Sequence, residues 1–159
     1  MSSIVTFLDV IRHGEPEGGE VFRGRTDHRL TDNGRRQFQQ RLERNPGNWQ
    51  RVVSSPLSRC SESAERVAGQ SGLPLHIDER WAEIDYGAWE NVPIKQVMSA
   101  EQTHVRQLWE DPMNFCAPQG EPVGQLQARV LEGWAHILEQ HAGQLSLIHI
   151  SEPTRPRLI

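Results

Sequence analysis

Two short segments concentrate residues able to do chemistry. Ile11-Arg12-His13-Gly14-Glu15 sets a histidine between an arginine and a glycine, and Ser54-Ser55-Pro56-Leu57-Ser58-Arg59 supplies a second arginine. A neutral imidazole is a nucleophile and a proton carrier. Guanidinium groups match phosphate oxygens two at a time through a planar fork. Two of them around a histidine suit phosphoryl transfer, because they neutralise charge spread over the equatorial oxygens as the group moves. Gly14 would let the backbone approach closely with no Cβ in the way. Alone, an Arg-His-Gly triplet is weak, since a histidine at a strand end is more often a satisfied structural residue.

The elements that must position these residues can be read from the pattern around them. Ile4 to Ile11 is a nearly continuous apolar run rich in β-branched residues, which predicts a strand buried on both faces of a parallel sheet. Arg51 to Ser55 predicts a second strand. Both end in the charged segments above, at the carboxyl edge where open α/β sheets bind ligands. If the two strands are neighbours, Arg12, His13 and Arg59 meet at one rim. Thr31 is placed to cap a helix running to about Arg44, and Pro56 and Ser58 open another that Ser71-Gly72 closes. Leu73 to Ile77 is a weaker strand, and Glu79 to Glu90 a loop dense in aromatic and acidic residues. One helical stretch is predicted from Pro93 to about Glu110, then a loop from Asp111 to Pro122. A long helix follows from about Val123 to Ala142, with Leu126, Val130, Trp134, Ile137 and Leu138 at helical spacing. Alternating strands and helices predict an α/β fold: a layered, mostly parallel sheet with helices on both faces.

Composition bounds the function. A chain of 159 residues suits one domain. A net charge of −4 argues against a nucleic-acid surface, although sixteen of the seventeen basic side chains are arginines, which leaves room for a small anion pocket. No apolar run approaches the ~20 residues that span a bilayer, and the N-terminus lacks a secretory pattern, so a cytoplasmic location is expected. Cys60 and Cys116 form no metal-type pair and are expected to be reduced thiols. His28, His76, His104, His136 and His141 make no metal-ligand set and are read as structural or surface residues; neither a metal nor a cofactor is expected.

Four segments together carry a family resemblance. They are Leu8 to Glu15; Arg23-Gly24-Arg25-Thr26-Asp27 through Leu30-Thr31 and Gly34; Val53 to Arg59 with Ser63-Ala64-Glu65; and Glu83-Ile84-Asp85-Tyr86-Gly87 with Trp89-Glu90. In order and spacing they resemble the histidine phosphatase superfamily, which includes cofactor-dependent phosphoglycerate mutases and α-ribazole phosphatase. The resemblance implies that His13 attacks phosphorus and becomes phosphohistidine while Arg12 and Arg59 hold the phosphoryl oxygens. It implies that Glu83 protonates the leaving oxygen and then takes a proton from water. A carboxylic acid in that role needs a raised pKa, which the apolar neighbours Trp81, Ile84 and Tyr86 would supply by desolvation. Arg23 and Gly24 match positions lining the substrate entrance, and Gly120-Glu121 resembles a substrate-side turn. The implied partner is a small phosphorylated metabolite, and no signal for an oligomeric state is visible. Pro16-Glu17-Gly18-Gly19 stands where the mutases usually carry a Trp-Asn pair, which favours a phosphomonoesterase of the α-ribazole phosphate type over a mutase.

One departure stands out. The family's second histidine follows the last core strand and precedes two glycines; here His149 falls near that place but Ile150 and Ser151 follow it. The run from Leu145 to Arg155 resembles the translated read-through of a sequencing adapter. Residues 1–144 are thus expected to be an incomplete phosphatase domain and 145–159 a non-native tail. Its Leu-Ser-Leu-Ile-His-Ile alternation could still occupy the missing strand's slot. Poor stability and activity reduced about 100–1000-fold are expected from loss of a transition-state donor. A non-catalytic phospho-ligand binder is the reading from a different class.

Overall fold

The computed structural model describes residues 5–150. Within them β1 (Phe7–Arg12), β2 (Arg51–Ser54), β3 (Leu75–Ile77) and β4 (Leu145–Ile150) form a wholly parallel sheet in the order β1-β4-β2-β3. The helices are α1 (Asp32–Arg44), α2 (Ser58–Ser71), α3 (Ile94–Ala100), α4 (Gln102–Glu110) and α5 (Val123–Gln140). No helix among the described residues is long and apolar enough to cross a membrane.

Local chemistry sets the helix ends. The Thr31 hydroxyl accepts from Gly34 N–H and caps α1, whose last turn carries Arg41 and Arg44 against the helix dipole. Gly72, at φ 64°, ends α2 in the left-handed conformation that costs glycine least. The stretch expected as one helix from Pro93 to Glu110 breaks at Glu101 into α3 and α4, and α5 ends at Gln140 rather than Ala142.

The sheet is covered on both faces. Phe38 of α1 and Ala64, Val67 and Ala68 of α2 pack on Val52 and Leu147. On the other face Ile137 and Trp134 of α5, with Trp81, pack on Val53 and Ile148. A third cluster, built from Phe22, Ile84, Tyr86, Trp89, Val97, Val105 and Phe115, lies outside the sheet and holds the loops together.

Two expectations about the strands are corrected. β1 is not buried on both faces: among the described residues it is an edge strand, and none of its six residues is buried. Nor are β1 and β2 neighbours. β4 lies between them, with Leu147 and Ile148 under the two layers. A strand with partners on both edges and helices on both faces needs apolar residues toward each layer; Leu147 and Ile148 supply them, with Ser146 and His149 buried beside them. Any run of suitable alternation can do so, so this placement concerns packing and not the origin of the run.

Candidate active site

His13 follows β1 directly and is 8% exposed. Its Nδ1–H donates to the carbonyl of Gly14 at 2.6 Å. A carbonyl only accepts, so the proton belongs on Nδ1 and the Nε2 lone pair is left for attack. Burial lowers the His13 pKa to about 4, aided by the charges of Arg59, Arg12 and Arg23 and opposed by the Gly14 bond. The imidazole is therefore neutral at physiological pH. Gly14 is required by a close approach, since a Cβ there would lie 1.9 Å from the Gly34 carbonyl oxygen. Arg41 donates to the carbonyls of Arg12 and His13 at 2.9 and 3.1 Å and ties this turn to α1.

Arg59 enters from the first turn of α2 and is 1% exposed. It donates to the carbonyls of Thr26 at 3.0 Å and Gly24 at 2.8 Å, so it also holds the loop that carries Arg23. Asp27 answers from that loop: its carboxylate accepts from the Ser58 N–H at 2.7 Å and the Ser58 hydroxyl at 2.6 Å, at the α2 N-terminus. Arg12 is exposed at the end of β1, and its charge acts on both His13 and Glu83.

Glu83 is 4% exposed, and Trp81, Ile84 and Tyr86 beside it are as deeply buried. It lines an apolar cavity of about 260 Å³ with Val10, Trp81, Leu126, Trp134 and Ile148. Burial raises its pKa to about 7, against the Ile84 N–H bond and the charges of Arg59, Arg129 and Arg12. It is a carboxylic acid able to donate near neutrality, as the apolar sequence around it implied.

The expected residues fall into three groups. His13, Arg12, Arg59 and Glu83 interact electrostatically as one set. Arg23 is half-buried beside them and its charge reaches His13. Gly24 also joins two loops: a Cβ there would lie 1.9 Å from the Ile84 carbonyl oxygen. Glu121, read weakly as a substrate-side residue, instead makes a two-pronged ion pair with Arg129 at 2.7 and 2.8 Å.

Residues to which the sequence assigned no role hold these loops. Arg129 of α5 also donates to the carbonyls of Arg80, Ala82 and Glu83 at 2.9, 2.7 and 3.1 Å. The Glu90 carboxylate accepts from the N–H groups of Arg25, Thr26 and Tyr86 and from the Thr26 hydroxyl. Neither pattern has a sequence signal beyond the presence of the charged residue. His149 lies within β4. In the ladder it pairs with Ile11, and its ring is fully buried and stacked on Phe38 at 4.4 Å between centroids. Neither ring nitrogen completes a hydrogen bond of ordinary geometry. Burial, then the His13 and Arg41 charges, lowers its pKa to about 3, opposed by the Cys60 backbone. No group of three or more side chains among the described residues could hold a metal ion.

Residues 8–151 match the histidine phosphatase superfamily (branch 1). Over 153 residues the chain is 29% identical to the probable phosphoglycerate mutase GpmB of Salmonella arizonae, covering 94% of this chain and 66% of that protein. The chain thus spans slightly less than two thirds of the curated relatives it matches. Among solved structures, the α-ribazole phosphatase of Shigella flexneri superposes with a TM-score of 0.78 at 27% identity, over 91% of this chain and 73% of that one. YhfR of Bacillus stearothermophilus gives 0.81 at 28% identity, over 92% and 74%.

Proposed function

The chain belongs to the histidine phosphatase superfamily, and from that premise we propose that it hydrolyses a small phosphomonoester through a phosphohistidine on His13. The observation that carries the reading is the neutral His13 imidazole, its Nδ1–H fixed on Gly14, beside a buried Glu83 that keeps its proton near pH 7. His13 Nε2 forms a bond to phosphorus as the phosphorus–oxygen ester bond breaks, and the leaving oxygen takes the Glu83 proton. The Glu83 carboxylate then accepts a proton from water as that water attacks phosphorus. The nitrogen–phosphorus bond breaks, releasing inorganic phosphate and neutral His13. Arg12 and Arg59 neutralise the charge on the moving group. Arg23 belongs to the substrate side.

α-Ribazole phosphate is the proposed substrate class, supported by the likeness to the Shigella enzyme and by the Pro16-Glu17-Gly18-Gly19 loop. The likeness to GpmB supports a mutase as second reading. Turnover of p-nitrophenyl phosphate, with an acid-labile phosphoenzyme that His13→Asn abolishes, is the expected result. Turnover retained by His13→Asn would sink the proposal, and strict dependence on a bisphosphate primer would move it to the mutase.

A further inference from the structure

Arg23 lies on a loop, where a long charged side chain would ordinarily sample many rotamers at an entropic cost to any ligand that needs it fixed. Here it is held. Its Nε–H donates to Nδ1 of His28 at 2.9 Å, and one Nη nitrogen donates to the carbonyls of Glu17 at 2.7 Å and Gly19 at 2.8 Å. Those bonds use three of the five guanidinium N–H groups and leave the other Nη pair for a ligand.

The bond to His28 differs in kind from the two carbonyl bonds. Arginine stays protonated, so it can only donate, and Nδ1 must therefore be bare with the ring proton on Nε2. The ring is backed by Gly18, whose Cα leaves no room for a Cβ: one would meet Cε1 at 2.6 Å. Proton uptake at Nδ1 would set N–H against N–H and cation against cation. The charged groups acting on this ring are Arg23 and Arg59, which oppose protonation, and Glu17 and Asp27, which favour it; with burial, the balance holds its pKa below the ordinary histidine value.

The geometry points to His28 as a positioning residue that fixes Arg23 toward the phosphoryl group and releases it when the imidazole takes up a proton. This rests on the phosphatase reading above for the identity of the ligand. His28 does not touch the reacting atoms, and its effect belongs to binding rather than to the chemical step.

Three proteins test it: wild type, His28→Asn and His28→Leu. The Asn carbonyl oxygen can accept from Arg23 near the place of Nδ1 but does not titrate; Leu fills the space and accepts nothing. With p-nitrophenyl phosphate at pH 7.5, His28→Leu should raise KM about tenfold with kcat within about twofold, the loss of one charge-assisted hydrogen bond. His28→Asn should keep KM near wild type and lack the KM rise that wild type shows on acidification. Ionisation of the substrate is common to all three and cancels in the comparison. Wild-type KM and an unaltered pH profile in both variants would overturn the inference. If wild type turns nothing over, the phosphatase reading fails. The calorimetric Kd for inorganic phosphate then decides: tenfold weaker binding by His28→Leu alone supports the role of His28, and equal binding by all three overturns it.

Discussion

At the scale of single residues, burial assigns opposite proton states to two groups that share the same arginines. His13 is pushed down to about 4 and Glu83 up to about 7, in both cases chiefly because the charged form is desolvated. Attack needs neutral His13, and departure of the ester oxygen needs protonated Glu83. The pH profile of kcat/KM should therefore be a bell with limbs near 4 and 7, falling on the alkaline side as Glu83 loses its proton. Glu83→Gln should remove the alkaline limb and lower kcat by about 10²–10⁴-fold with p-nitrophenyl phosphate. A Gln variant that retained the limb would mean another group supplies the proton. Glu83 was marked by the likeness of its segment to a family motif, and its apolar neighbours in the chain are the residues that bury it. His28 had no such mark, because its meaning depends on Arg23 folding back upon it.

At the scale of elements, α5 contributes more than its apolar face. Arg129 spends its guanidinium on three carbonyls of the segment leading to Glu83 and on Glu121, bridging the helix to two loops. Both partners of the ion pair are largely buried, with side-chain exposures of 17% and 12%. Removing one side of such a pair leaves the other charge and the carbonyls without partners. Arg129→Leu should therefore cost about 2–4 kcal/mol in urea unfolding and lower kcat, because Glu83 loses its support. Unchanged stability would show that water replaces the arginine without loss. The helical spacing of Leu126, Val130, Trp134 and Ile137 was legible in the sequence because it is periodic. An arginine flanking that stripe has no period to reveal its partners.

At the scale of the whole molecule, the buried histidines tie stability to pH. The folded pKa values of His13 and His149, about 4 and about 3, lie below the ordinary 6.5, so the unfolded chain binds more protons at these sites. Their contribution is fully present above pH 6.5 and is lost as pH falls toward the folded values. Glu83 acts the other way: raised from 4.5 to about 7, it contributes fully below 4.5 and loses that contribution as pH rises through 7. Two histidines against one carboxyl leave a net slope of about 1.4 kcal/mol per pH unit, stability rising with pH between about 4.5 and 6.5. His28 and His141, also lowered, add to it. His149→Leu should reduce that slope by about 1.4 kcal/mol per pH unit. It should also raise stability near neutrality by about 1–2 kcal/mol, since a buried imidazole without a hydrogen bond of ordinary geometry leaves the core. Urea titrations from pH 4.5 to 7 measure both; a variant less stable than wild type at pH 7 would contradict the second.

The sequence by itself determined the alternation of strands and helices, the capped start of α1, the glycine end of α2, and the candidacy of His13, Arg12 and Arg59. Each of these is local: a period, a cap or a run of neighbouring types acts within a few residues. Only the tertiary structure decided that β4 lies between β1 and β2, leaving β1 at an edge, and that His149 belongs to the core, stacked on Phe38. It also decided which arginines hold loops and which charges bear on the imidazole. Strand order, desolvation and long-range hydrogen bonds depend on segments far apart in the chain, and no local pattern encodes their distances.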